Sequence, residues 1–201
     1  MKLNEIQDMK RIDFDAIDHT MEDLLYHLAR YKFVGRLLKK DWNVLEVGCG
    51  TGYGSNFLSQ FCNYINGCEL DPELVAKAQN KFAQKKNLEY SYHPTKETYD
   101  AVVSLEVIEH MSVEHGEELL KFIDSKLANH GLAFISTPRK IDNPSENRKQ
   151  YHIHEYTHSE FLATLEKHFA KVIVFSQNDE IISSQNPDNA WNYMAICFKA
   201  K

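Results

Sequence analysis

A glycine-rich stretch at residues 44–54, VLEVGCGTGYG, constrains this chain more than any other segment. Residues 44–47 are largely apolar and carry β-branched side chains, which is typical of a buried strand. Four glycines follow within seven residues, and glycine lets a backbone turn sharply and lie close to a ligand. A helical pattern begins at Ser55. Strand, glycine turn and helix N-terminus together predict a site where backbone N–H groups face a bound molecule.

The spacing of these glycines narrows the kind of ligand. G-x-G-x-G differs from the G-x-G-x-x-G dinucleotide fingerprint and from the phosphate-binding G-x-x-x-x-G-K-[ST] loop. No Lys or Arg lies in the loop, so it offers no charge to neutralise a polyphosphate. The stretch resembles the first motif of the class I S-adenosylmethionine-dependent methyltransferases, and the likeness extends over roughly residues 24–180.

The resemblance implies a fold as well as a cofactor. We expect an α/β protein with a doubly wound, mostly parallel seven-stranded sheet, Rossmann-like, with an N-terminal helical cap. An N-terminal arm and cap helix would occupy residues 1–40, and the methyltransferase domain would occupy residues 41–201. Apolar residues at helical spacing predict the cap helix, with Thr20 at its start. Arg30 and Tyr31 are candidates for lining the cofactor site, and a helix that only covers the sheet is the open alternative.

A second acid, Glu69, follows the glycine loop by about 20 residues, where doubly wound folds place a carboxylate on ribose hydroxyls. Asp71 precedes Pro72 and is expected to cap the next helix. The resemblance implies that Glu46 helps to orient the ammonium group of S-adenosylmethionine while the glycine loop wraps its amino acid end. The expected cofactor-binding set is Glu46, Gly48, Cys49, Gly50, Gly52, Tyr53, Glu69, Leu70, Leu105 and Glu106. Residues 93–98 lack an acid at the point where the family usually places one near the adenine, so we expect backbone groups around residues 93–95 to take its place.

The motif E-V-I-E-H at residues 106–110 follows the fourth predicted strand, residues 101–105. If it opens a helical turn, Glu106, Glu109 and His110 lie on one face, and carboxylates and imidazoles are ligands for divalent cations. E-x-x-E-H here resembles two methyltransferase groups that hold a divalent metal. One methylates catechol-type quinone precursors, and the other methylates the terminal 2′-hydroxyl of small RNAs. In the RNA group a histidine precedes an E-[WY]-T-x-x-x-F segment, and His152 has the matching position.

The resemblance thus implies a divalent metal (Mg²⁺, Mn²⁺ or Zn²⁺) held by Glu106, Glu109, His110 and His152. A metal-free alternative stays open, because many bacterial methyltransferases of sugars or lipids resemble this chain in the same motif without an established metal. In that alternative Glu106 contacts the cofactor, Glu109 caps or bridges, and His110 is a general base or a packed core residue. Glu109 and His110 are the catalytic candidates.

Two polar segments are candidates for contacting the acceptor. Residues 139–151, RKIDNPSENRKQY, carry four cations, and a loop of this length is often a lid or a binding loop. Its cations suit an anionic acceptor such as a phosphorylated or nucleotide-linked sugar, and a solvated loop is the alternative. Residues 177–192 form a second long polar connection between two predicted edge strands.

Composition limits the function further. The net charge of −6 argues against a large nucleic-acid-binding surface. No apolar run approaches the ~20 residues of a membrane span. The four cysteines form no C-x-x-C pair, so we expect reduced thiols and a cytoplasmic location. The sequence favours an enzyme that O-methylates a small hydroxylated metabolite or a saccharide, including a nucleotide-sugar. RNA 3′-terminal 2′-O-methylation and a non-catalytic, cofactor-binding regulatory partner are the alternatives, and the oligomeric state stays open.

Overall fold

The computed structural model describes residues 21–199, so the expected N-terminal arm and the Thr20 helix start lie outside the described residues. The chain divides into two compact units, one ending at Glu97 and one beginning at Thr98. The helices are α1 (Met21–Leu37), α2 (Tyr53–Leu58), α3 (Pro72–Lys81), α4 (Val113–Lys126), α5 (Glu146–Tyr151) and α6 (His158–Glu166). The strands are β1 (Asn43–Val47), β2 (Tyr64–Cys68), β3 (Leu88–Ser91), β4 (Tyr99–Leu105), β5 (Leu127–Pro138), β6 (Lys171–Asn178), β7 (Ile181–Ser183) and β8 (Asn192–Phe198).

The first unit contains three parallel strands in the order β3-β2-β1. Val44, Leu45 and Ile65 are completely buried, as expected for parallel strands covered on both faces. The predicted cap at the start of α3 is confirmed, because the Asp71 carboxylate accepts a hydrogen bond of 2.9 Å from the Glu73 amide. The glycine turn and Glu69 both come directly after a strand of this unit, which brings two predicted cofactor segments to the carboxyl ends of β1 and β2.

The second unit contains five strands in the order β4-β5-β8-β6-β7. β4 and β5 are parallel, whereas β5 and β8, β6 and β8, and β6 and β7 pair antiparallel. The described residues therefore form eight strands, and the predicted number of seven is wrong. The extra strand is β7, which turns back on β6 within the expected loop at residues 177–192. Asp179 makes this tight turn at φ 53°, and three residues are too few to give a strand signal in the sequence.

The sequence Asn129-His130-Gly131 predicts a glycine cap at the end of α4, and the structure differs from this prediction. The helix ends at Lys126 and the chain passes directly into β5, where Leu127 pairs with Tyr99. The next pair joins Leu132 to Ala101, so the intervening residues of β5 form a bulge. His130, at φ 64°, takes the left-handed backbone conformation of this bulge. Within residues 21–199, no helix combines the length and the apolar character that a membrane crossing requires.

Candidate functional site

The glycine loop of the first unit has the backbone geometry that its sequence predicts. Gly48, Gly50 and Gly52 have φ angles of 76°, 54° and 83°, which L-residues with side chains rarely adopt. The amides of Gly48 and Cys49 both donate hydrogen bonds to the Cys68 carbonyl, at 2.9 and 3.0 Å. Two backbone hydrogen bonds therefore fix the loop to the carboxyl end of β2.

Tyr90 packs against this loop, a role that the sequence did not predict. Its hydroxyl donates a hydrogen bond of 2.5 Å to the Gly52 carbonyl. A Cβ atom on Gly52 would lie 2.7 Å from the Tyr90 ring, so Gly52 is required for space as well as for its φ angle. The predicted residue Cys49 is 3% exposed and packs against Tyr90 in a hydrophobic cluster. Only the backbone of Cys49 therefore belongs to the loop surface.

Glu46, the acid of β1, lies in a buried hydrogen-bonded cluster. It is 1% exposed, and its two carboxylate oxygens accept hydrogen bonds from the Tyr31 hydroxyl at 2.7 Å and from the Ser55 hydroxyl. Burial raises the pKa of Glu46 from its ordinary value of 4.5 to about 7, although the two hydroxyl donors act in the opposite direction. A nearby positive charge would stabilise the ionised form of such a buried carboxylate. The sequence identified Tyr31 but not Ser55, and Tyr53 contacts the Tyr31 ring edge-on at 5.4 Å.

Glu69 closes the glycine loop from the end of β2. One of its oxygens accepts a hydrogen bond from the Gly50 amide at 3.0 Å, and the other accepts from the amides of Leu70 and Asp71 at 2.7 and 3.2 Å. Glu69 is 7% exposed, whereas the following Leu70 is 53% exposed. Backbone donors thus fix the position of the carboxylate that the resemblance assigns to the ribose.

Residues 93–95, which are expected near the adenine, form hydrogen bonds with other residues of the first unit. The Thr95 amide donates a hydrogen bond of 3.0 Å to the Asn66 side chain, and the Ser91 hydroxyl donates one of 2.7 Å to the His93 carbonyl. Asn66 is completely buried on β2. The Thr95 amide is therefore engaged within the protein, which limits the backbone donors that this stretch offers to an adenine.

In the second unit, Glu106 follows Leu105 at the end of β4 in an unusual backbone conformation. Its φ angle is 57°, in the left-handed region. Its amide donates to Ser136, and its carboxylate accepts hydrogen bonds from the Ser136 hydroxyl at 2.6 Å and from the Asn192 amide nitrogen at 2.5 Å. Strained backbone of this type persists where neighbouring groups fix it, and it clusters at functional sites.

Glu109 is the most deeply buried acid of the E-V-I-E-H motif, at 1% exposure. The Thr137 hydroxyl donates a hydrogen bond of 3.1 Å to Glu109 Oε2. The other oxygen, Oε1, lies 3.9 Å from His110 Nε2. The Glu109 carbonyl also accepts a hydrogen bond of 3.1 Å from the His154 amide. Both the side chain and the backbone of Glu109 are therefore held in place.

The rings of His110 and His152 meet edge-on, with centroids 5.2 Å apart. His110 Nδ1 lies 2.7 Å from the Tyr151 carbonyl oxygen, and His152 Nδ1 lies 2.5 Å from Glu155 Oε1. Both partners only accept hydrogen bonds, so each Nδ1 is the protonated donor. In a neutral imidazole, this arrangement places the lone pair on Nε2, which is the tautomer that binds a metal or accepts a proton.

Three of the four predicted metal ligands come together. One ligand atom each from Glu109, His110 and His152 lies within 4.8 Å of the other two. Glu106 is not part of this group, because its carboxylate is bonded to Ser136 and Asn192. The predicted spacing assumed a regular helical turn, whereas only Ile108–His110 form a single 3-10 turn and Glu106 is left-handed.

The sequence did not identify the residues that orient these candidate ligands. Glu155 accepts hydrogen bonds from both His152 Nδ1 and Arg148 Nε. Burial alone would raise the pKa of Glu155, but the donors Arg148 and His152 outweigh it and hold the pKa below its ordinary value. Glu155 is thus an anion beside His152, and a carboxylate on the far ring nitrogen makes an imidazole a stronger ligand.

Comparison with known proteins gives the family. A family model described as a methyltransferase domain matches residues 17–172, which is most of the chain. Malonyl-[acyl-carrier protein] O-methyltransferase 1 of Ilyobacter polytropus is 28% identical over 158 residues, 74% of this chain and 53% of that protein. An rRNA adenine N-6-methyltransferase of Limosilactobacillus reuteri is 36% identical over 47 residues, 23% of this chain and 19% of that protein. The chain spans about half the length, or less, of the curated relatives it matches.

A solved structure gives the same fold over nearly the whole chain. The N-methyltransferase NodS from Bradyrhizobium japonicum WM9, in complex with S-adenosyl-L-homocysteine, matches with a TM-score of 0.71 at 14% identity, covering 98% of this chain and 97% of that chain. The names of these relatives specify methylation of oxygen in one case and of nitrogen in two, so the family does not fix the acceptor atom. The chain therefore belongs to the methyltransferase-domain family, and its α/β Rossmann-like fold is the one predicted from the glycine loop.

Proposed function

We propose that this chain transfers a methyl group from S-adenosylmethionine to a hydroxyl oxygen of a small hydroxylated metabolite or saccharide, with the help of a divalent cation. The observation that carries this proposal is the grouping of Glu109, His110 and His152, whose ligand atoms lie within 4.8 Å of one another. The O-methyltransferase among the relatives is consistent with an oxygen acceptor. All four cysteines are buried and carry free thiols. Free thiols suit a reducing compartment such as the cytoplasm.

The first unit supports the cofactor part of the proposal. S-adenosylmethionine carries an ammonium, a carboxylate, a sulfonium and a ribose. A buried carboxylate at Glu46 is suited to the ammonium, and the backbone-fixed carboxylate of Glu69 is suited to the two ribose hydroxyls. The positive-φ glycines leave the loop backbone without side chains at the point of closest approach. We assign Glu46, Glu69 and the loop glycines to the cofactor on these grounds.

The residues of the second unit fit a divalent cation. Two imidazoles and one carboxylate form a mixed nitrogen and oxygen donor set, and this set suits Zn²⁺ or Mn²⁺ better than Mg²⁺, which prefers oxygen ligands. Both imidazoles donate Nδ1–H to an acceptor, as metal-binding histidines usually do. A cation bound there would lower the pKa of a coordinated hydroxyl and fix its oxygen.

The protein's own groups have defined tasks in this proposal. Thr137 fixes one oxygen of Glu109, the Tyr151 carbonyl orients His110, and Glu155 orients His152. Methyl transfer is an in-line displacement, so holding the acceptor oxygen in position accounts for much of the rate. In the metal-free alternative, the same tautomer of His110 accepts the hydroxyl proton at Nε2, as a general base oriented by a backbone carbonyl.

Calorimetric titration separates these possibilities. S-adenosylmethionine is titrated into metal-stripped protein, and Zn²⁺ and Mn²⁺ are titrated separately into the wild type, Glu109→Gln and the exposed-site control Glu118→Gln. We expect cofactor binding in all three proteins, and cation binding in the wild type and the control that Glu109→Gln loses. Equal cation binding by Glu109→Gln and the wild type would overturn the cation part of the proposal. Failure of all three proteins to bind the cofactor would overturn the proposed reaction.

A further inference from the structure

We propose that a cavity beside His152 binds a phosphate group of the acceptor, so that the acceptor is a phosphorylated sugar. The cavity has a volume of about 210 Å³, and His152 and Glu155 line it together with Lys140, Arg148 and Lys149. This inference rests on the proposed function for its choice of acceptor, and it goes beyond it by naming the group that the acceptor must carry.

The size of the cavity favours one group rather than a whole molecule. Pockets that enclose complete small-molecule ligands usually measure about 300–1,000 Å³. A volume of about 210 Å³ is below this range, but it is ample for a tetrahedral phosphate and its water molecules. The remainder of the acceptor would therefore lie outside the cavity.

The charges around the cavity favour phosphate over carboxylate. Three cationic side chains line it, Lys140, Arg148 and Lys149, against the single carboxylate of Glu155. Lys149 also pairs with Glu146 at 2.7 Å, so the three cations face two carboxylates in all. A phosphate monoester carries about −1.5 to −2 at pH 7 and offers three acceptor oxygens to these cations, whereas a carboxylate carries −1 and offers two.

Hydrogen bonds within the protein fix the orientation of the Arg148 guanidinium at the cavity. Its Nε donates to Glu155, and its Nη2 donates a hydrogen bond of 2.8 Å to the Arg139 carbonyl. A guanidinium has five N–H donors, so Nη1 and a second hydrogen on Nη2 still point elsewhere. An oriented guanidinium loses little conformational freedom when it binds phosphate oxygens in a bidentate way, and this raises the affinity.

Glu155 connects the cavity with the candidate metal centre. The same carboxylate oxygen accepts hydrogen bonds from Arg148 and from His152, and His152 belongs both to the cavity and to the group with Glu109 and His110. A phosphate in the cavity would thus lie one side chain from the proposed ligand group. A compact molecule with a phosphate and hydroxyls on one sugar ring meets this requirement.

Lys140 provides the cleanest variant to test the cavity. Its backbone amide donates a hydrogen bond of 2.9 Å to the Tyr156 carbonyl, which a side-chain substitution leaves intact. Its side chain is exposed, so Lys140→Gln is expected to fold normally. Lys121 on α4 is also an exposed lysine and does not line the cavity. Lys121→Gln is therefore the matched control for removal of one surface charge.

The experiment is a calorimetric titration of metal-free full chain at low salt with inorganic phosphate, glucose 1-phosphate, acetate and glucose. We expect phosphate and glucose 1-phosphate to bind, glucose 1-phosphate more tightly, and acetate and glucose to bind at least tenfold more weakly. Lys140→Gln and Arg148→Gln should each weaken phosphate binding by about fivefold to tenfold, a size typical of one charge-assisted contact. Lys121→Gln and Glu109→Gln should bind phosphate like the wild type.

Three results would overturn the phosphate site. They are an absence of phosphate binding by the wild type, phosphate binding that Lys140→Gln and Arg148→Gln leave unchanged, and phosphate binding that Glu109→Gln weakens instead. Tighter binding of a short oligoribonucleotide than of glucose 1-phosphate would overturn the sugar phosphate as the acceptor. Because no cofactor or cation is present, these outcomes are independent of the cofactor and cation titrations that test the proposed function.

Discussion

Glu46 and Glu109 are both 1% exposed, and each accepts hydrogen bonds from hydroxyl groups, yet the two carboxylates are arranged for different tasks. Glu46 has a hydroxyl donor on each oxygen, Tyr31 on one and Ser55 on the other. Glu109 has the Thr137 hydroxyl on one oxygen, while its other oxygen faces His110. The first arrangement holds a buried charge in a fixed place, and the second directs a carboxylate oxygen toward two imidazoles.

This difference corresponds to the roles that we propose for the two units, cofactor binding in the first and acceptor binding in the second. A cofactor shared by a whole family needs a fixed cradle, and the glycine loop, Tyr90 and Glu69 form one through hydrogen bonds within the first unit. An acceptor that varies among relatives needs adaptable chemistry. The second unit offers titratable groups on loops, at His110, His152 and the neighbouring cationic cavity. Loops on a rigid scaffold commonly carry such variation.

The largest expected effect separates two neighbouring histidines. His152→Ala should lower Zn²⁺ affinity by roughly 1000-fold, since losing a ligand costs more than the ~10–100-fold typical of changes to supporting residues. His154 Nε2 is instead paired with Glu160 at 2.7 Å, so His154→Ala should leave Zn²⁺ affinity within about twofold. Competition with a chelating dye measures both affinities. Equal losses of Zn²⁺ affinity in the two variants would contradict the assignment of His152 to the ligand group.

The second effect concerns Glu46 and pH. Its pKa rises on folding from 4.5 to about 7, so the folded state binds the proton more tightly than the unfolded state. The stability that this provides is complete below pH 4.5 and is lost as the pH rises through 7. The loss amounts to about 3 kcal/mol.

Urea unfolding at pH 5 and pH 8 measures this effect. Glu46→Gln keeps the shape of the side chain but has no proton to lose, so it should lack this contribution. From pH 5 to pH 8, its free energy of unfolding should therefore fall about 3 kcal/mol less than that of the wild type. Parallel pH profiles for the two proteins would show that Glu46 is solvated like an ordinary surface acid, and the contrast with Glu109 would then fail.

A third test compares two glycines of the loop. A Cβ on Gly54 would overlap the ring of Tyr31, whereas a Cβ on Gly50 would meet no atom within 4 Å. Gly54→Ala should therefore cost about 2 kcal/mol of unfolding free energy through overpacking. Gly50→Ala should cost about 1 kcal/mol through its positive φ angle alone. Chemical denaturation gives both values, and a larger cost at Gly50 would contradict the packing of Tyr31 over the loop.

The smallest effect concerns the support of His152. Glu155→Gln removes the negative charge of the carboxylate that is hydrogen-bonded to His152 Nδ1, and we expect Zn²⁺ affinity to fall about tenfold. Glu146 lies on the same segment but pairs with Lys149 at the surface, so Glu146→Gln is the control and should change little. The chelator assay applies again. A Glu155→Gln protein with wild-type affinity would show that Glu155 serves only Arg148.

The sequence predicted the parts of this protein that depend on local patterns. The glycine turn after β1, the Asp71 cap of α3 and the approach of Glu109, His110 and His152 follow from motifs of a few residues or from a family likeness. The partners of these residues were not predictable, because they come from distant positions. Tyr90 and Gly52 are 38 positions apart, and Asn192 and Glu106 are 86 apart. The left-handed conformation of Glu106 has no local signal, so its place among the metal ligands was expected and not found. The expected boundary between residues 40 and 41 stays a prediction.

Anomalous X-ray diffraction at the zinc edge, from crystals of the full chain grown with Zn²⁺ and S-adenosyl-L-homocysteine, tests the central claim most directly. We predict one strong anomalous peak bonded to Glu109, His110 and His152, with Glu106 still bonded to Ser136 and Asn192. Absence of a peak at these three residues, or a peak on a different set of ligands, would contradict a metal-assisted methyl transfer at this centre.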